Sequence, residues 1–223
     1  MSAPPARARR FAAVVFDMDG VLVDSEPMHV DAMRRLLGPY GVAYTDRENE
    51  QFFGFTDPEV FRILKARYGL APDEQELTRR RTELLVELTR TRTVPMDGVP
   101  DVPRTLHGWG YRLAVASSSA LGVIRATVEA LGLAPVFEAL VSGVDVGRGK
   151  PAPDVFVETA RRLGLPPRAC LVVEDSRNGL LAAKAAGMAC AAIPCPATRH
   201  EAFGEADFRL SALPELLAIL REV

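Results

Sequence analysis

The sequence predicts an α/β fold in which a doubly wound, mostly parallel sheet carries an inserted α-helical cap domain. Two observations predict this class. Short apolar runs alternate with helical stretches over most of the chain, and one long helical segment interrupts that alternation. The chain has 223 residues, of which 48% are apolar and 25% charged. That balance is typical of a globular protein with ample material for a buried core.

The apolar runs predict five strands. Each run is continuously apolar rather than alternating, which is typical of a strand that is covered on both faces of a parallel sheet. The runs occupy residues 11–16, 111–116, 139–142, 170–174 and 189–193.

Helices are predicted between these strands, at residues 121–131, 154–163 and 177–186. Glycine is favoured just past the end of a helix because it readily adopts the positive φ required there. A glycine follows each predicted helix: Gly132, Gly164 and Gly187.

The segment between the first two strands is much longer than a crossover needs, since about a dozen residues suffice. It contains helical patterns at residues 30–37, 58–68 and 73–91, and a crossover helix is expected at 99–109. The surplus predicts a separate helical cap domain. The predicted division is a flexible tail over residues 1–10, a core domain over 11–23 and 95–223, and a cap domain over 24–94.

Composition excludes several classes of function. The formal net charge of −2 gives no strong field for a nucleic acid polymer or an anionic membrane. No segment has the roughly 20 apolar residues of a membrane helix, and the apolar run after the basic N-terminus is too short for a signal peptide. The three cysteines, Cys170, Cys190 and Cys195, form no CxxC pair and are expected to be reduced thiols. We expect a cytoplasmic monomer or weak dimer.

Four polar clusters follow buried strands or lie in the loop behind one. The carboxyl edge of an open α/β sheet is where ligands bind, so all four clusters are expected at one site. They are Asp17-Met18-Asp19-Gly20-Val21, Ser117-Ser118-Ser119, Gly149-Lys150-Pro151-Ala152-Pro153-Asp154 and Glu174-Asp175-Ser176.

Each cluster has an ordinary structural explanation when taken by itself. Paired acids form turns and cap helices, serines are common N-caps, and a loop lysine is usually a surface residue. Taken together, the four clusters contain the groups that would bind a metal ion and a phosphate. Crowded carboxylates raise one another's pKa unless a cation such as Mg²⁺ is present, and serines before a helix can bind phosphate. The combination predicts a nucleophile, a second carboxylate, phosphate donors, a fixed positive charge and metal ligands.

The order of these motifs resembles that of the haloacid dehalogenase superfamily. Its pattern is DxDx followed by Thr or Val, then a Ser or Thr, a lysine and an acidic pair. The phrase Phe-Asp-Met-Asp-Gly-Val-Leu-Val-Asp-Ser-Glu-Pro is similar to the subgroup of β-phosphoglucomutase, phosphoglycolate phosphatase and sugar-phosphate phosphatases. The resemblance covers residues 11 to about 193, and the helical insertion matches the cap domain of that subgroup.

The resemblance implies a magnesium-dependent phosphatase acting on a small phosphate ester. Asp17 would be the nucleophile that forms an aspartyl phosphate, and Asp19 the general acid and base. Mg²⁺ would be bound by the Asp17 carboxylate, the Asp19 backbone carbonyl and Asp175, with Glu174 supporting its waters. The phosphoryl oxygens would be bound by Ser117, Ser118 and Lys150.

The resemblance also implies roles in the cap domain. Glu26 and His29 are similar to residues near the hinge and the substrate, and Gly54 to the cap loop that meets substrate. In β-phosphoglucomutase an arginine three residues after that glycine binds a second phosphate. Asp57 stands there in this chain, and Ala120 and Leu121 replace a lysine and an asparagine. These departures favour hydrolysis of a monophosphate.

Three alternatives stay open. The first is a sugar-phosphate mutase on the same scaffold. The second is a hydrolytic dehalogenase, whose chemistry does not need Asp19 or Asp175. The third is a non-enzymatic phosphoacceptor module similar to receiver domains, which also cluster acids, a Ser or Thr and a Lys on a doubly wound sheet. Receiver domains lack a helical insertion, and their acceptor aspartate follows a different strand from their acidic pair.

Overall fold

Continuous apolar runs become strands of a single sheet in the computed structural model, which describes residues 9–52 and 57–222. Within those residues the sheet has six strands. They are β1 (Ala13–Phe16), β2 (Arg112–Ser117), β3 (Ala139–Ser142), β4 (Cys170–Glu174), β5 (Ala189–Ala192) and β6 (Phe208–Arg209).

The strand order is β3-β2-β1-β4-β5-β6, and every neighbouring pair is parallel. The chain runs outward from β1 to β3, then returns to place β4 on the other side of β1. The order therefore reverses between β1 and β4, and the crevice beyond their carboxyl ends is where such folds bind ligands. This topology confirms the predicted doubly wound α/β class.

Both faces of the sheet are covered. Val14 and Val15 point to opposite faces, because side chains alternate along a strand, and both are fully buried. Their neighbours in β2 and β4 are equally buried, as a sheet flanked by helices on both sides requires. On one face, the two helices that precede and follow β4 contribute Phe156 and Leu180 to the same apolar cluster as Val15.

The helices follow the predicted alternation, with ends shifted by a few residues. Pro27 lies in the first turn of the first helix, a position that proline favours, and this helix begins at Glu26 rather than at residue 30. The helices are α1 (Glu26–Leu37), α2 (Asp46–Glu50), α3 (Asp57–Tyr68), α4 (Glu74–Arg92), α5 (Asp101–Gly108), α6 (Leu121–Ala130), α7 (Asp154–Arg162), α8 (Arg177–Ala185) and α9 (Glu215–Glu222).

The chain divides into two compact units. One comprises the residues up to Asp24 and from Val94 onward, and the other is Ser25–Thr93. In the second unit, α1 and α3 both pack against α4. Its core includes Met33, Phe61 and Leu77.

The basic N-terminal segment is described from Arg9 onward. Residues 1–8, most of the predicted tail, lie outside the described residues. The Arg9 guanidinium donates to the Trp109 carbonyl at 2.7 Å and lies over the Tyr111 ring, so this end of the segment is attached to the sheet unit. In the described part of the chain, no helix combines the length and apolar character needed to cross a bilayer.

Candidate active site

The register of the sheet brings distant polar residues together at the ends of three strands. Phe16 in β1 pairs with Val173 in β4, and the Asp17 N–H donates to the Val173 carbonyl at 2.9 Å. Asp17 and Glu174 therefore leave the sheet side by side. On the other side of β1, β2 ends at Ser117, which is completely buried. These three residues lie at the carboxyl edge that the sequence predicts.

Lys150 connects two of the strand ends. Its Nζ donates to Asp17 Oδ1 at 2.6 Å and to Glu174 Oε1 at 2.5 Å, and it lies 3.3 Å from the Ala116 carbonyl oxygen. The Lys150 side chain is only 7% exposed. Burial alone lowers the pKa of Lys150, but the Asp17 and Glu174 carboxylates outweigh it and raise that pKa above its usual value. Lys150 is therefore a fixed positive charge inside the site.

Carboxylates outnumber this single ammonium group. Asp17, Glu174 and Asp175 are all buried, and each offers an oxygen within 4.8 Å of the others. Burial raises the pKa of Asp17 well above its usual value; Lys150 opposes the rise, and the acids Glu174, Asp175 and Asp19 add to it. Burial and then the Glu174 charge raise the pKa of Asp175 to about 7. The single charge of Lys150 is therefore too small to balance the carboxylates of the cluster when all of them are ionised.

These residues fit a divalent cation. Three carboxylates within reach of one point are hard oxygen donors, and a cation would offset the burial and the repulsion that raise the pKa values of Asp17 and Asp175. Both oxygens of Glu174 already accept hydrogen bonds, Oε1 from Lys150 and Oε2 from Ser176, whereas Lys150 donates to Asp17 at Oδ1. Asp17 and Asp175 are therefore better suited to direct coordination. Gly20 provides the space for Asp175: a Cβ at Gly20, where φ is +78°, would lie 2.4 Å from Asp175 Oδ2.

Glu174 is held by the start of α8. Its Oε2 accepts from both the backbone N–H and the hydroxyl of Ser176, each at 2.9 Å. The same hydroxyl accepts from the Gly179 N–H at 3.1 Å and so caps the helix. A Cβ at Gly179 would lie 1.8 Å from Glu174 Oε1. Only glycine leaves room for Glu174 at this point of the helix.

Gly179→Ala is therefore expected to lower the free energy of unfolding by about 1–3 kcal/mol, as overpacking does. Helix propensity alone predicts a change of the opposite sign, because alanine is the better helix former by roughly 0.5–1 kcal/mol. A loss of stability would therefore report the clash with Glu174. Gly108→Ala is the matched control: Gly108 ends α5 with nothing near a Cβ, and we expect that variant to be neutral or slightly more stable. Urea unfolding measures both. Equal effects of the two substitutions would contradict the packing argument.

The hydroxyls of Ser117 and Ser119 both contact Asp19, and the Ser119 N–H also donates to Ser117 Oγ at 3.0 Å. Ser117 Oγ lies 3.3 Å from Asp19 Oδ2, and Ser119 Oγ donates to the same oxygen at 3.0 Å. Ser118, a predicted phosphate ligand, is exposed. The Ser119 hydroxyl was not among the predicted site residues, although the sequence shows three consecutive serines. Two hydroxyls thus orient the Asp19 carboxylate toward the strand ends.

Asp175 has partners that the sequence did not indicate. Cys195 Sγ lies 3.2 Å from Asp175 Oδ2, and Thr198 Oγ1 lies 3.5 Å from the same oxygen. Burial raises the pKa of the Cys195 thiol, so the thiol keeps its proton and donates. Both residues come from the loop after β5, at least 20 positions from Asp175 in the chain. No local pattern marks this contact.

The predicted cap residues lie in the helical unit. The Glu26 carboxylate accepts a hydrogen bond from the Asn49 side chain. His29 Nδ1 is 2.9 Å from a nitrogen of the Arg81 guanidinium, which also donates at 2.8 Å to both carboxylate oxygens of Asp57. Gly54 lies outside the described residues. Asp57, the departure noted in the sequence, is thus the partner of a cation.

Comparisons with known proteins show the family to which the chain belongs. A model of the haloacid dehalogenase-like hydrolase family matches residues 11–187. The chain is 36% identical over 182 residues to fructose-1-phosphate phosphatase YqaB of Escherichia coli, covering 80% of this chain and 94% of that protein. It is 32% identical to protein CbbY of Rhodobacter capsulatus, covering 92% and 98%. The crystal structure of CbbY from Rhodobacter sphaeroides with phosphate superposes with a TM-score of 0.83 at 30% identity, covering 92% of this chain and 96% of that one.

Proposed function

Because this chain belongs to the haloacid dehalogenase-like hydrolase family, we propose that it is a magnesium-dependent phosphatase. It would hydrolyse a small phosphate monoester, a sugar phosphate or similar metabolite, through an aspartyl phosphate on Asp17. The observation that carries the proposal is the position of Lys150, which bridges Asp17 and Glu174 beside Asp175. The similarity to a fructose-1-phosphate phosphatase supports the substrate class.

In the first step, an Asp17 carboxylate oxygen attacks phosphorus and the bond from phosphorus to the ester oxygen breaks. Asp19 gives its proton to the departing alkoxide, so the alcohol leaves neutral. Ser117 and Lys150 bind the oxygens of the transferring phosphoryl group, where fixed donors stabilise developing charge. The Ser119 hydroxyl, which donates to Asp19 Oδ2, orients that carboxyl for the transfer.

In the second step, Asp19 takes a proton from water as the water oxygen attacks the phosphoryl group on Asp17. The acyl phosphate bond breaks, and inorganic phosphate and the Asp17 carboxylate are regenerated. A bound Mg²⁺ would be held by Asp17 and Asp175 and would neutralise charge on the phosphoryl oxygens. Lys150 keeps Asp17 pointed into the site in both steps.

Hydrolysis is favoured over a mutase reaction by the helical unit. A mutase that passes through a sugar bisphosphate needs two anion sites. Asp57 places a carboxylate on the Arg81 guanidinium, which is 15% exposed, and so neutralises a cation that a second phosphate would require. Transfer within a hexose 1-phosphate, assayed with a bisphosphate primer, should therefore be slower than net phosphate release.

A panel of phosphate monoesters tests the proposal. Purified protein with Mg²⁺ should release inorganic phosphate from sugar and hexitol phosphates with higher kcat/KM than from nucleotides or phosphoglycolate. Release should require the metal and stop with a chelator. No release from any ester in the panel, with the fold intact by circular dichroism, would reject the phosphatase assignment.

Magnesium is expected to stabilise the protein more at high pH than at low pH. The raised pKa of Asp175, about 7 against 3.8, means that ionisation costs the metal-free fold stability as pH rises through that interval. Below pH 7 the proton must leave before the cation binds, so binding weakens. The Mg²⁺-induced rise in Tm should thus be larger at about pH 8 than at about pH 5.5. Calorimetry at the two values checks this, and a rise independent of pH would contradict it.

A further inference from the structure

We infer that Cys195 positions Asp175 for the cation, and that Thr198 in turn fixes Cys195. The inference rests on the proposed function, because it concerns the metal ligand of the same site. Both residues lie in the loop between Ile193 and Phe203, which we call the β5 loop, so this loop would help to position the metal ligand. The loop lies far along the chain from the four motifs, and neither of the two residues belongs to any of them.

The β5 loop is attached to the chain on both sides of Asp175. At its start, the Ile193 N–H donates to the Glu174 carbonyl at 2.8 Å. Toward its end, the Glu201 carboxylate accepts from the Arg177 N–H at 2.5 Å, at the first residue of α8. Two residues further on, Phe203 is buried in the core beneath the sheet. Asp175 is thus enclosed between two fixed points of this loop.

Within the loop, a tight turn directs the Cys195 thiol at Asp175. The Cys195 carbonyl accepts from the N–H groups of Thr198 at 3.1 Å and of Arg199 at 2.9 Å. The Thr198 hydroxyl accepts from the Cys195 N–H at 3.1 Å. These three bonds fix the backbone of Cys195, and its Sγ then lies 3.2 Å from Asp175 Oδ2.

Gly20 lies close to the same carboxylate oxygen and to the thiol. A Cβ built there would lie 2.4 Å from Asp175 Oδ2 and 3.3 Å from Cys195 Sγ. Asp175 Oδ2 therefore lies close to both the thiol and Gly20, and the absence of a Gly20 side chain leaves room for this oxygen beside Cys195. Partners that orient a ligand typically change metal affinity by about 10–100-fold when removed. Because a thiol is a weak donor, we expect an effect at the lower end of that range.

Titration of Mg²⁺ into the 223-residue chain by calorimetry tests the inference. Cys195→Ala removes the donor and is expected to weaken Mg²⁺ binding by about 10-fold. Cys195→Ser keeps a donor and should stay within about 3-fold of the original affinity. The matched control is His200→Ala, an exposed residue of the same loop, which should not change affinity. Cys195→Ala should also raise the Mg²⁺ concentration needed for half-maximal activity while kcat at saturating Mg²⁺ is preserved.

A second pair of variants covers the case in which Cys195→Ala does not fold. Thr198→Val leaves the thiol in place but removes the acceptor of the Cys195 N–H and the hydroxyl 3.5 Å from Asp175 Oδ2, and it should weaken Mg²⁺ binding. Thr198→Ser keeps both and should bind Mg²⁺ as the unsubstituted protein does. The inference is overturned if Cys195→Ala binds Mg²⁺ as tightly as the unsubstituted protein, or if Cys195→Ser is as weak as Cys195→Ala. If the unsubstituted protein binds no Mg²⁺, both the inference and the proposed magnesium-dependent function are wrong. If the unsubstituted protein binds Mg²⁺ and turns over substrate, and the Cys195 and Thr198 variants bind Mg²⁺ equally tightly, only the role of Cys195 is rejected.

Discussion

Asp17→Asn is expected to abolish phosphate release, lowering kcat by about 10⁴-fold or more, as removal of a covalent nucleophile does. Asparagine has the shape of aspartate but cannot form the acyl phosphate. It still fills the space at the end of β1, and Lys150 keeps its second partner Glu174 at 2.5 Å. We therefore expect the fold to be retained, so that the loss reports on chemistry.

Steady-state phosphate release measures the loss, and rapid-quench labelling with radioactive ester adds a direct readout. The unsubstituted protein should carry an acid-stable, hydroxylamine-sensitive label that the variant lacks. Asp101→Asn is the control, since Asp101 is an exposed carboxylate in the first turn of α5. Turnover by Asp17→Asn at a rate near that of the control would refute Asp17 as the nucleophile.

Lys150→Met has the second largest expected effect, on stability as well as activity. It removes the ammonium group that bonds Asp17 and Glu174, and breaking a buried ion pair costs about 3–5 kcal/mol because charges are left uncompensated. The loss of a fixed donor to the phosphoryl oxygens should further reduce kcat by about 10²–10³-fold.

The stability loss should depend on pH in a definite direction. Lys150 lowers the pKa values of Asp17 and Asp175, so without it these values rise further above those of the unfolded chain. Groups of that kind destabilise the fold when ionised, so the free energy of unfolding should be lowest at high pH and recover as pH falls. Urea unfolding at about pH 8 and at about pH 5.5 measures the difference in the free energy of unfolding.

Lys184→Met is the matched control. Lys184 pairs with Asp207 at 2.7 Å on the surface, where an ion pair contributes about 1 kcal/mol or less. The control should lose little stability at either pH. If Lys150→Met were as stable as Lys184→Met at both values, Lys150 would not compensate the carboxylate cluster.

Much of the fold was predictable because its signals are local. A continuous apolar run reports burial on both faces, so β3 and β4 were predicted to the residue. The elements that were missed give weak signals. The α2 helix is five mostly charged residues held by a capping box at Thr45, and β6 is two residues long. The α9 helix lies beyond the last predicted strand.

The site was predictable to the extent that strand ends determine it. Asp17, Ser117 and Glu174 each lie at or directly after the end of a strand, so the topology alone brings them together. Which of three serines faces Asp19 depends on how the chain turns after β2, and a run of identical residues carries no information about that turn. The contact of Cys195 with Asp175 depends on the packing of a loop, which periodicity does not describe.

The spacing of the site along the chain has a consequence for how the molecule is made. Lys150 and Asp17 are 133 positions apart, and Ser119 and Asp19 are 100 apart. Contacts between such remote positions form late, after local helices. A nascent chain therefore lacks its reacting centre until β4 and the residues after it have left the ribosome. In refolding experiments the helical circular dichroism signal should return before catalytic competence, and enzyme activity would report on completion of the sheet.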